Sequence, residues 1–240
     1  MNEDALIAAP ANDETDRLIA GALKDLQDWS SAGWLPEMIP TQQKRSLRTS
    51  LALMEAGRTL LLNRALDDLS IEAICGEAGT TVGAFYGRFE SKHAFFVTMQ
   101  RVQTIRSQRL YADFVKRHEA DNASLETLCE EMVALTVRGF RSNLGVLRAS
   151  LQHTREGMWT PFKESGDRFR AVLTKKLAPH LSHLKPAQRK LRILFAYQAM
   201  AGTLVHAALN DPGPLSLNDE ALTEELVRMV KAYLMAPADQ

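Results

Sequence analysis

The stretch from Ser70 to Lys92, SIEAICGEAGTTVGAFYGRFESK, constrains the fold most, because it predicts two short helices joined by a tight turn. Ser70 is placed to cap the first helix, since a serine hydroxyl can accept a hydrogen bond from a free N–H of the first turn. The inward positions of this helix share one face and are Ile71, Ile74, Cys75 and Ala78. Gly79 is expected to end the helix, because glycine tolerates the left-handed conformation found at many helix ends.

Thr81 is placed to cap the second helix, which we predict to be anchored by Phe85 and Phe89, four residues apart. The residues left on its other sides are Val82, Gly83, Ala84, Tyr86 and Arg88. The small residues among them suit a helix that enters the major groove of DNA, where the backbone must come close to the base edges. The pattern therefore indicates a helix-turn-helix that reads DNA. An ordinary helical hairpin with capped ends would show the same local signals.

A third helix is expected to follow this pair. Ser91 is placed to cap it, which puts Lys92 in the first turn. The free backbone N–H groups of a first turn favour an anion such as a phosphate. Lys92 is therefore a candidate phosphate contact.

The segment AGTTVGAFYGRFESKHAFF resembles the DNA-binding signature of the tetracycline-repressor (TetR) family of bacterial transcription regulators. The resemblance spans residues 48–96, and it includes apolar positions of the family's first helix, here Leu53, Ala56, Gly57, Leu60, Leu61 and Leu66. It implies that Tyr86 and Lys92 contact phosphates, and that Thr81, Gly83, Ala84 and Arg88 lie near bases. The candidate DNA-binding residues are Lys44, Arg45, Arg48, Ser70, Thr80, Thr81, Gly83, Ala84, Tyr86, Arg88 and Lys92.

Two residues depart from the pattern of that family. Arg88 stands where the family often has His or Tyr, and Ala65 stands where it usually has a glycine before the second helix. An arginine fork suits the O6 and N7 atoms of guanine, so Arg88 is predicted to read a guanine. Because Ala65 replaces that glycine, the turn over residues 63–69 is expected to differ in geometry from the turn of the family, without a change of fold.

The distribution of charge separates the N-terminus from the rest of the chain. The formal net charge is zero, but residues 1–40 hold eight acidic and two basic side chains, so the remaining residues carry a net charge of +6. Residues 41–92 hold seven basic and six acidic side chains, which makes the predicted DNA-binding head barely positive. One hypothesis is therefore that the acidic N-terminus competes with DNA for the basic residues of the head.

Residues 1–40 form an extension that the signature does not require. Leu18, Ala22, Leu26 and Trp29 recur at helical spacing and predict a helix over about residues 13–29, capped by Asn12 or Asp13. The segment SSAGWLPEMIPT, with two prolines and a glycine, predicts a linker. The extension is either a poorly ordered terminus or a helix that docks through Trp29 and Trp34, and we favour docking.

The whole chain is predicted to be all-α. Beyond the extension, the apolar spacing predicts a head over residues 41–92, whose first helix covers residues 46–65 and whose helix-turn-helix covers 70–89, and a larger helical domain over 93–240. The resemblance implies that this larger domain binds a ligand and forms the dimer. The helices expected in that domain cover residues 92–118, 121–143, 144–156, 160–176, 187–209 and 219–235.

The resemblance implies that the last two of these helices form a homodimer, in keeping with small residues such as Ala199 and Gly202 that let helices approach closely. It also implies a cavity for a small-molecule effector, which we expect to be mostly apolar or aromatic. The candidate lining residues are Phe114, Phe140, Leu147, Trp159, Phe162 and Phe169, with His153 and Arg155 as candidate polar contacts.

The function predicted from these features is a ligand-responsive repressor that binds a palindromic operator in double-stranded DNA as a dimer. The alternative is a helical dimeric interaction protein whose head has lost specific DNA reading. The sequence shows no glycine loop that cradles phosphates and no nucleophile elbow, so no enzymatic activity and no cofactor are predicted. His180 and His183 lack further metal ligands nearby, and no metal is expected.

The predicted location of the protein is the cytoplasm, without membrane contact. No apolar run reaches about 18 residues, and the acidic start is unlike a secretory signal. The two cysteines, Cys75 and Cys129, are too few for a disulfide framework and are expected to be small buried residues.

Overall fold

The computed structural model describes residues 13–119, 123–210 and 213–237. Within these ranges the regular structure is helical, apart from one isolated antiparallel bridge between Met38 and Phe89, which confirms the predicted all-α class. The chain divides into two compact units, of which the first ends at Arg101 and the second begins at Val102. The N-terminal extension belongs to the first unit together with the helix-turn-helix. The predicted cap Asn12 lies outside the described residues, and so does the side chain of Leu18.

The first unit contains α1 (Asp13–Ser31), α2 (Lys44–Leu60), α3 (Ile71–Glu77), α4 (Val82–Tyr86) and the start of α5 (Lys92–Arg117). Two predicted boundaries were wrong. The first head helix ends at Leu60 rather than at residue 65, because residues 61–63 turn to lead into α3. The second helix of the helix-turn-helix ends at Tyr86, so Phe89 anchors the head from the bridge after α4 and not from the helix itself.

An aromatic cluster forms the core of the head. Phe85, Phe89 and Phe95 are fully buried, with ring centroids 5.1–5.5 Å apart. Gly57 of α2 lies against this cluster, and a Cβ atom at that position would come within 2.6 Å of Phe95 Cζ. Because the ring of Phe95 is itself buried, only glycine allows this close packing of α2 on α5.

The extension is packed onto the head. Leu23, Leu26 and Trp29 of α1 are buried, so docking through Trp29 is confirmed, whereas Trp34 is 53% exposed and takes no part in it. The segment predicted as a linker is not a loose connection, because Leu35 and Met38 are buried too. We call residues 34–40 the strap.

The second unit contains the remainder of α5, α6 (Leu125–Ser142), α7 (Leu144–Gln152), α8 (Thr160–Leu177), α9 (Pro186–Leu209) and α10 (Glu220–Met235), with 3₁₀ turns at Thr154–Glu156 and Ala178–Leu181. Gly157 follows the first of these turns with a φ of 81°, a left-handed conformation that glycine adopts without strain. Pro161 stands in the first turn of α8, as predicted from its missing N–H.

The core of this unit lies where α6, α9 and α10 pack on one another. Val133, Met200, Val230 and Leu234 are fully buried there. Phe114 and Phe169 belong to the same core, with no exposed surface. Among the described residues, none of the helices combines the length and the hydropathy that crossing a bilayer requires.

Candidate nucleic-acid interface and effector cavity

The helix-turn-helix is built by two side-chain caps. The hydroxyl of Ser70 accepts a hydrogen bond from the backbone N–H of Ala73 at 3.0 Å, and that of Thr81 accepts one from Ala84 at 3.1 Å. Both caps satisfy N–H groups that the first turn of a short helix cannot pair internally. Gly79 has a φ of 61° between the two helices, as predicted for the residue that ends α3. Ser70 and Thr81 therefore set the start of each helix.

The outer face of α4 is small and open. Gly83 is exposed, and a Cβ atom placed there would meet only the Thr81 hydroxyl, at 3.9 Å. Tyr86 is 51% exposed, while Ala84 is partly buried. Phe85 points the opposite way into the aromatic cluster. This helix thus presents little bulk on the side away from the core, which is the shape needed to enter a major groove.

Arg88 lies in the turn after α4 rather than on the helix. Its Nε donates to the carbonyl oxygen of Ser46 in the first turn of α2 at 3.2 Å, and its Nη1 donates to the carbonyl of Gly87 at 2.9 Å. The guanidinium is partly buried in this arrangement. Arg88 lies two residues beyond the end of α4, and its side chain ties this turn to α2. That Arg88 reads a base stays a prediction.

The strap meets the same turn from its other side. The backbone N–H of Ile39 donates to the carbonyl oxygen of Arg88 at 2.8 Å, next to the bridge between Met38 and Phe89. Glu37 of the strap accepts a hydrogen bond from Arg101 of α5 at 3.1 Å. The turn after α4 is therefore held by the N-terminal extension, a contact that no local sequence signal predicted.

Lys92 also has intramolecular partners. Its ammonium donates to the carbonyl oxygens of Leu66 and Asp67 at 2.9 and 3.2 Å, in the turn before α3. The cap predicted for α5 is present, because the Ser91 hydroxyl accepts from the N–H of Ala94 at 3.0 Å. An ammonium group has three N–H donors, so Lys92 keeps one beyond these two bonds.

The basic residues of α2 differ from Arg88 and Lys92 in their surroundings. Lys44, Arg45 and Arg48 are exposed at the N-terminal end of the helix. Lys44 and Arg48 line a groove between α1 and α2, together with Lys24. Thr80 is partly buried, and its backbone N–H donates to the carbonyl of Cys75 at 2.9 Å. The predicted DNA-binding residues thus divide into an open α4 surface, exposed cations on α2, and side chains that hold the head together.

A cavity of about 190 Å³ lies within the second unit, among α5, α6, α7, α8 and α9. Its apolar lining consists of Phe140, Leu147, Trp159, Phe162, Ala201 and Val205. Four of the six predicted lining residues are among them. Phe114 and Phe169 are not, because their side chains point into the helical core instead. His153 and Arg155 do not line the cavity either.

The polar part of the lining was not predicted from the sequence. It includes Ser107, Tyr111, Asn143, Lys163, Arg170 and Tyr197. The ring of Tyr111 stacks on that of Phe169 with centroids 4.0 Å apart, so the core phenylalanine fixes a lining residue. Helical spacing alone could not separate these positions from ordinary partly buried ones.

Burial changes the acidity of several groups. It raises the pKa of Tyr111 to about 12, with the neighbouring Tyr197 adding to the shift, and it raises the pKa of Tyr197 as well. Both phenols therefore remain protonated at neutral pH and are available as donors. Burial likewise raises the pKa of the Cys129 thiol to about 12. This thiol is buried and protonated, and it lacks the environment of a reactive cysteine.

Metal ligands do not come together in the part of the chain that the structure describes, where no three His, Cys, Asp or Glu side chains form a group that could hold an ion. Of the two histidines considered from the sequence, His180 lies in the 3₁₀ turn after α8 and His183 lies in the following turn.

Comparison with known proteins matches both units separately. The family model described as "Bacterial regulatory proteins, tetR family" matches residues 53–99, and "Tetracyclin repressor-like, C-terminal domain" matches residues 124–234. No curated protein sequence matches the chain significantly.

Solved structures of transcription regulators have a similar fold. A transcriptional regulator from Aquifex aeolicus has 18% identity and a TM-score of 0.57, over 76% of this chain and 98% of that one. The fatty acid degradation regulator FadR from Bacillus halodurans has 13% identity and a TM-score of 0.57, over 80% and 97%. A TetR-like transcriptional regulator from Rhodococcus has 16% identity and a TM-score of 0.53, over 78% and 95%. At these identities the likeness concerns the fold. The two family matches, which cover residues 53–99 and 124–234, show that the chain belongs to the tetracycline-repressor family of bacterial transcription regulators.

Proposed function

We propose that this protein is a ligand-responsive repressor that binds a palindromic operator as a homodimer. The observation that carries the proposal is the open face of α4, where Gly83 and Tyr86 are exposed on a helix held in place by the Thr81 cap and the Phe85 anchor. A surface of this kind suits the major groove. The exposed cations Lys44, Arg45 and Arg48 supply candidate phosphate contacts beside it.

A row of exposed residues on α9 supports the dimer. Its members recur every three or four residues. Leu191, Phe195 and Leu209 are large and apolar, and Gln198, Gly202 and His206 lie between them. Leu191 is 67% exposed and Phe195 50%. Met229 and Met235 are exposed on α10. Large apolar side chains that stay exposed along one helix favour a second copy as their partner, which buries them around a twofold axis.

The dimer has a geometric consequence for DNA. Two identical recognition helices related by a twofold axis require two half-sites, about one helical turn or roughly 10 bp apart, or more. A single head with almost no net positive charge binds DNA weakly, because phosphate contacts supply most of the non-specific affinity. The second head, at a fixed distance, therefore supplies affinity as well as symmetry.

The response to an effector would pass through α5. This helix is continuous from Lys92 in the first unit to Arg117 in the second, and Ser107 and Tyr111 on it line the cavity. A ligand that binds one arrangement of the dimer better than another shifts the population toward it. We propose that the favoured arrangement spaces the heads wrongly for the operator, which releases the DNA.

The direct test is selection of genomic DNA fragments with the purified protein. The proposal predicts that the bound fragments share a palindrome whose half-sites are separated by about one turn of DNA. The proposal is wrong if the fragments share no sequence.

A second candidate function is a helical dimeric interaction protein that no longer reads DNA. The internal hydrogen bonds of Arg88 and Lys92 favour it, since these donors are already used within the head. Salt dependence separates the two functions. An operator-binding protein should lose affinity for one palindrome steeply as salt rises, whereas the interaction protein should show neither preference nor slope.

A further inference from the structure

We propose that the effector of the cavity in the second unit is a small aromatic carboxylate, with one ring at the tryptophan end and its carboxylate near Arg170. This inference rests on the proposed ligand-responsive function and narrows it to one chemical class. It follows from the size of the cavity, from the order of its lining residues along α8, and from the polar groups that have no acidic partner inside it.

The size of the cavity sets the size of the ligand. Its volume is about 190 Å³. A protein cavity of about 150 Å³ holds a benzene molecule, so this one accommodates a single ring with a short substituent. The paired rings of Trp159 and Phe162, with centroids 5.3 Å apart and planes at 27°, give that ring an aromatic wall.

Helix α8 runs along the cavity, and its lining residues are aromatic at the start of the helix and polar farther along it. Trp159 and Phe162 lie at its start, whereas the guanidinium of Arg170 reaches back over Gly166, four residues after Phe162, or about 6 Å along the helix axis. The cavity therefore has an aromatic end and a polar end, and a ligand that fills it should be amphipathic.

The polar end concentrates hydrogen-bond donors. A Cβ atom placed on Gly166 would lie 3.3 Å from Arg170 Nη1 and 3.4 Å from the Tyr197 hydroxyl, so both groups converge over the same glycine. The guanidinium also lies over the Tyr197 ring, 5.3 Å from its centroid. The other terminal nitrogen, Nη2, bonds Asp167, which is exposed outside the lining.

The charge of the lining selects an anion. Arg170 and Lys163 are basic, and the described lining residues include no Asp or Glu. Tyr111 and Tyr197 are protonated at neutral pH, as phenols ordinarily are, and burial raises the pKa of both further. A carboxylate accepts charge-assisted hydrogen bonds from arginine and hydroxyl donors, whereas a ligand cation would meet Arg170 with a like charge.

The side chain of Asn143 favours a ligand that carries one hydrogen-bond donor. It is 6% exposed, and its Nδ2 donates to the carbonyl oxygen of Gly139 at 2.9 Å. Its Oδ1 is buried and accepts no hydrogen bond from the described residues, and Asn143 itself is one of the residues that line the cavity. Buried amide oxygens are normally satisfied, so a ring hydroxyl on the ligand would complete this site.

The test is isothermal titration calorimetry on the full chain without DNA, with 4-hydroxyphenylacetate, its neutral amide and phenylacetate as probes. We expect the acid to bind about tenfold tighter than the amide, and the hydroxylated acid to bind tighter than phenylacetate. Equal binding of acid and amide, or no binding of either acid at millimolar concentration, would overturn the inference.

Two variants and a matched control test whether the preference for the acid over the amide arises at the polar end of the cavity. Arg170→Met should abolish the preference for the acid, whereas Arg168→Met, which removes an exposed arginine of the same helix outside the cavity lining, should keep it. Gly166→Ala should weaken binding of the acid while leaving the helix folded, because its Cβ would crowd the two donors. An unchanged preference in both cavity variants would contradict the assignment.

The calorimetry and the DNA selection fail independently. If the acids bind as predicted while no shared DNA site emerges, the cavity assignment holds and the repressor function is wrong. If a palindrome emerges while neither acid binds, the repressor function holds and the ligand class is wrong.

Discussion

The side chain of Arg88 donates from Nε to the carbonyl oxygen of Ser46 at 3.2 Å, across 42 residues of sequence. This bond joins the turn after α4 to the N-terminal end of α2, where Lys44, Arg45 and Arg48 are exposed. The strap holds the same turn through the bond from Ile39 to the carbonyl of Arg88. Helix α4 is therefore positioned by contacts at its end as well as by the Phe85 anchor.

Arg88→Ala should lower the free energy of unfolding by about 1 kcal/mol, the usual net contribution of such a hydrogen bond. It should also weaken binding to all DNA sequences to a similar extent, because the position of α4 changes and no base contact is lost. Urea denaturation and binding to a panel of single-base operator variants measure the two effects. Arg64→Ala, at an exposed arginine of the same unit, is the control and should change neither. Loss of discrimination at one base pair alone would show instead that Arg88 reads a guanine.

Lys44→Ala and Lys92→Ala should differ in stability but not in the kind of DNA defect. Each should weaken binding to all sequences and reduce the salt slope by about one. Lys92→Ala should in addition destabilise the head, because it removes the hydrogen bonds to Leu66 and Asp67. Lys44→Ala should hardly change the free energy of unfolding, because Lys44 is exposed. Affinity measured across a salt series, with urea denaturation of each variant, checks this. A wild-type salt slope in both variants would remove these lysines from the DNA interface.

Gly83→Ala should separate folding from DNA binding. An alanine here has space in the free protein and is favoured over glycine in a helix by about 0.5–1 kcal/mol, so stability should rise. Affinity for the operator should fall, because the added methyl group occupies the face that approaches the groove. Gly76→Ala in α3 is the matched control, since it also has open space but is not a candidate DNA contact. Equal DNA affinity of both variants would argue against α4 as the recognition helix.

Phe195→Glu should convert the proposed dimer into a folded monomer. Its side chain is 50% exposed, so a charge there costs the isolated chain little, whereas in a dimer interface it would be buried without a partner. Light scattering gives the mass, and circular dichroism shows whether the helices persist. Trp34→Glu, at an exposed aromatic residue of the first unit, should leave the mass unchanged. A Phe195→Glu protein with the mass of the wild type would place the interface elsewhere.

Local sequence signals predicted the helices and their caps well, because they depend on residues close in the chain. Ser70, Gly79 and Thr81 set the helix-turn-helix as expected, and Gly157 and Pro161 mark the break before α8. The predicted boundaries were wrong where contacts between residues far apart in the sequence accompany the end of a helix. Helix α4 ends at Tyr86, and Phe89 just beyond it pairs with Met38, some fifty residues earlier in the sequence.

The lining of the cavity could also be predicted only in part from the sequence. Trp159 and Phe162 were predicted as lining residues, but helical spacing could not show that Phe169 turns into the core while Arg170 reaches the cavity. The net charge of the head could not show which of its basic side chains form internal hydrogen bonds and which stay exposed. Arg88 and Lys92 hold backbone carbonyls, whereas Lys44 and Arg48 remain exposed. Which cations face DNA thus depends on the packing of the head.

Operator binding by a dimer is tested by fluorescence anisotropy with the selected palindrome between about 50 and 200 mM salt, beside a scrambled duplex of the same length. We expect one dimer per palindrome, an affinity at least about 10³-fold above that of the scrambled duplex, and a steep loss of affinity as salt rises. Equal affinity for the two duplexes, or binding of one chain per palindrome, would contradict operator binding by a dimer.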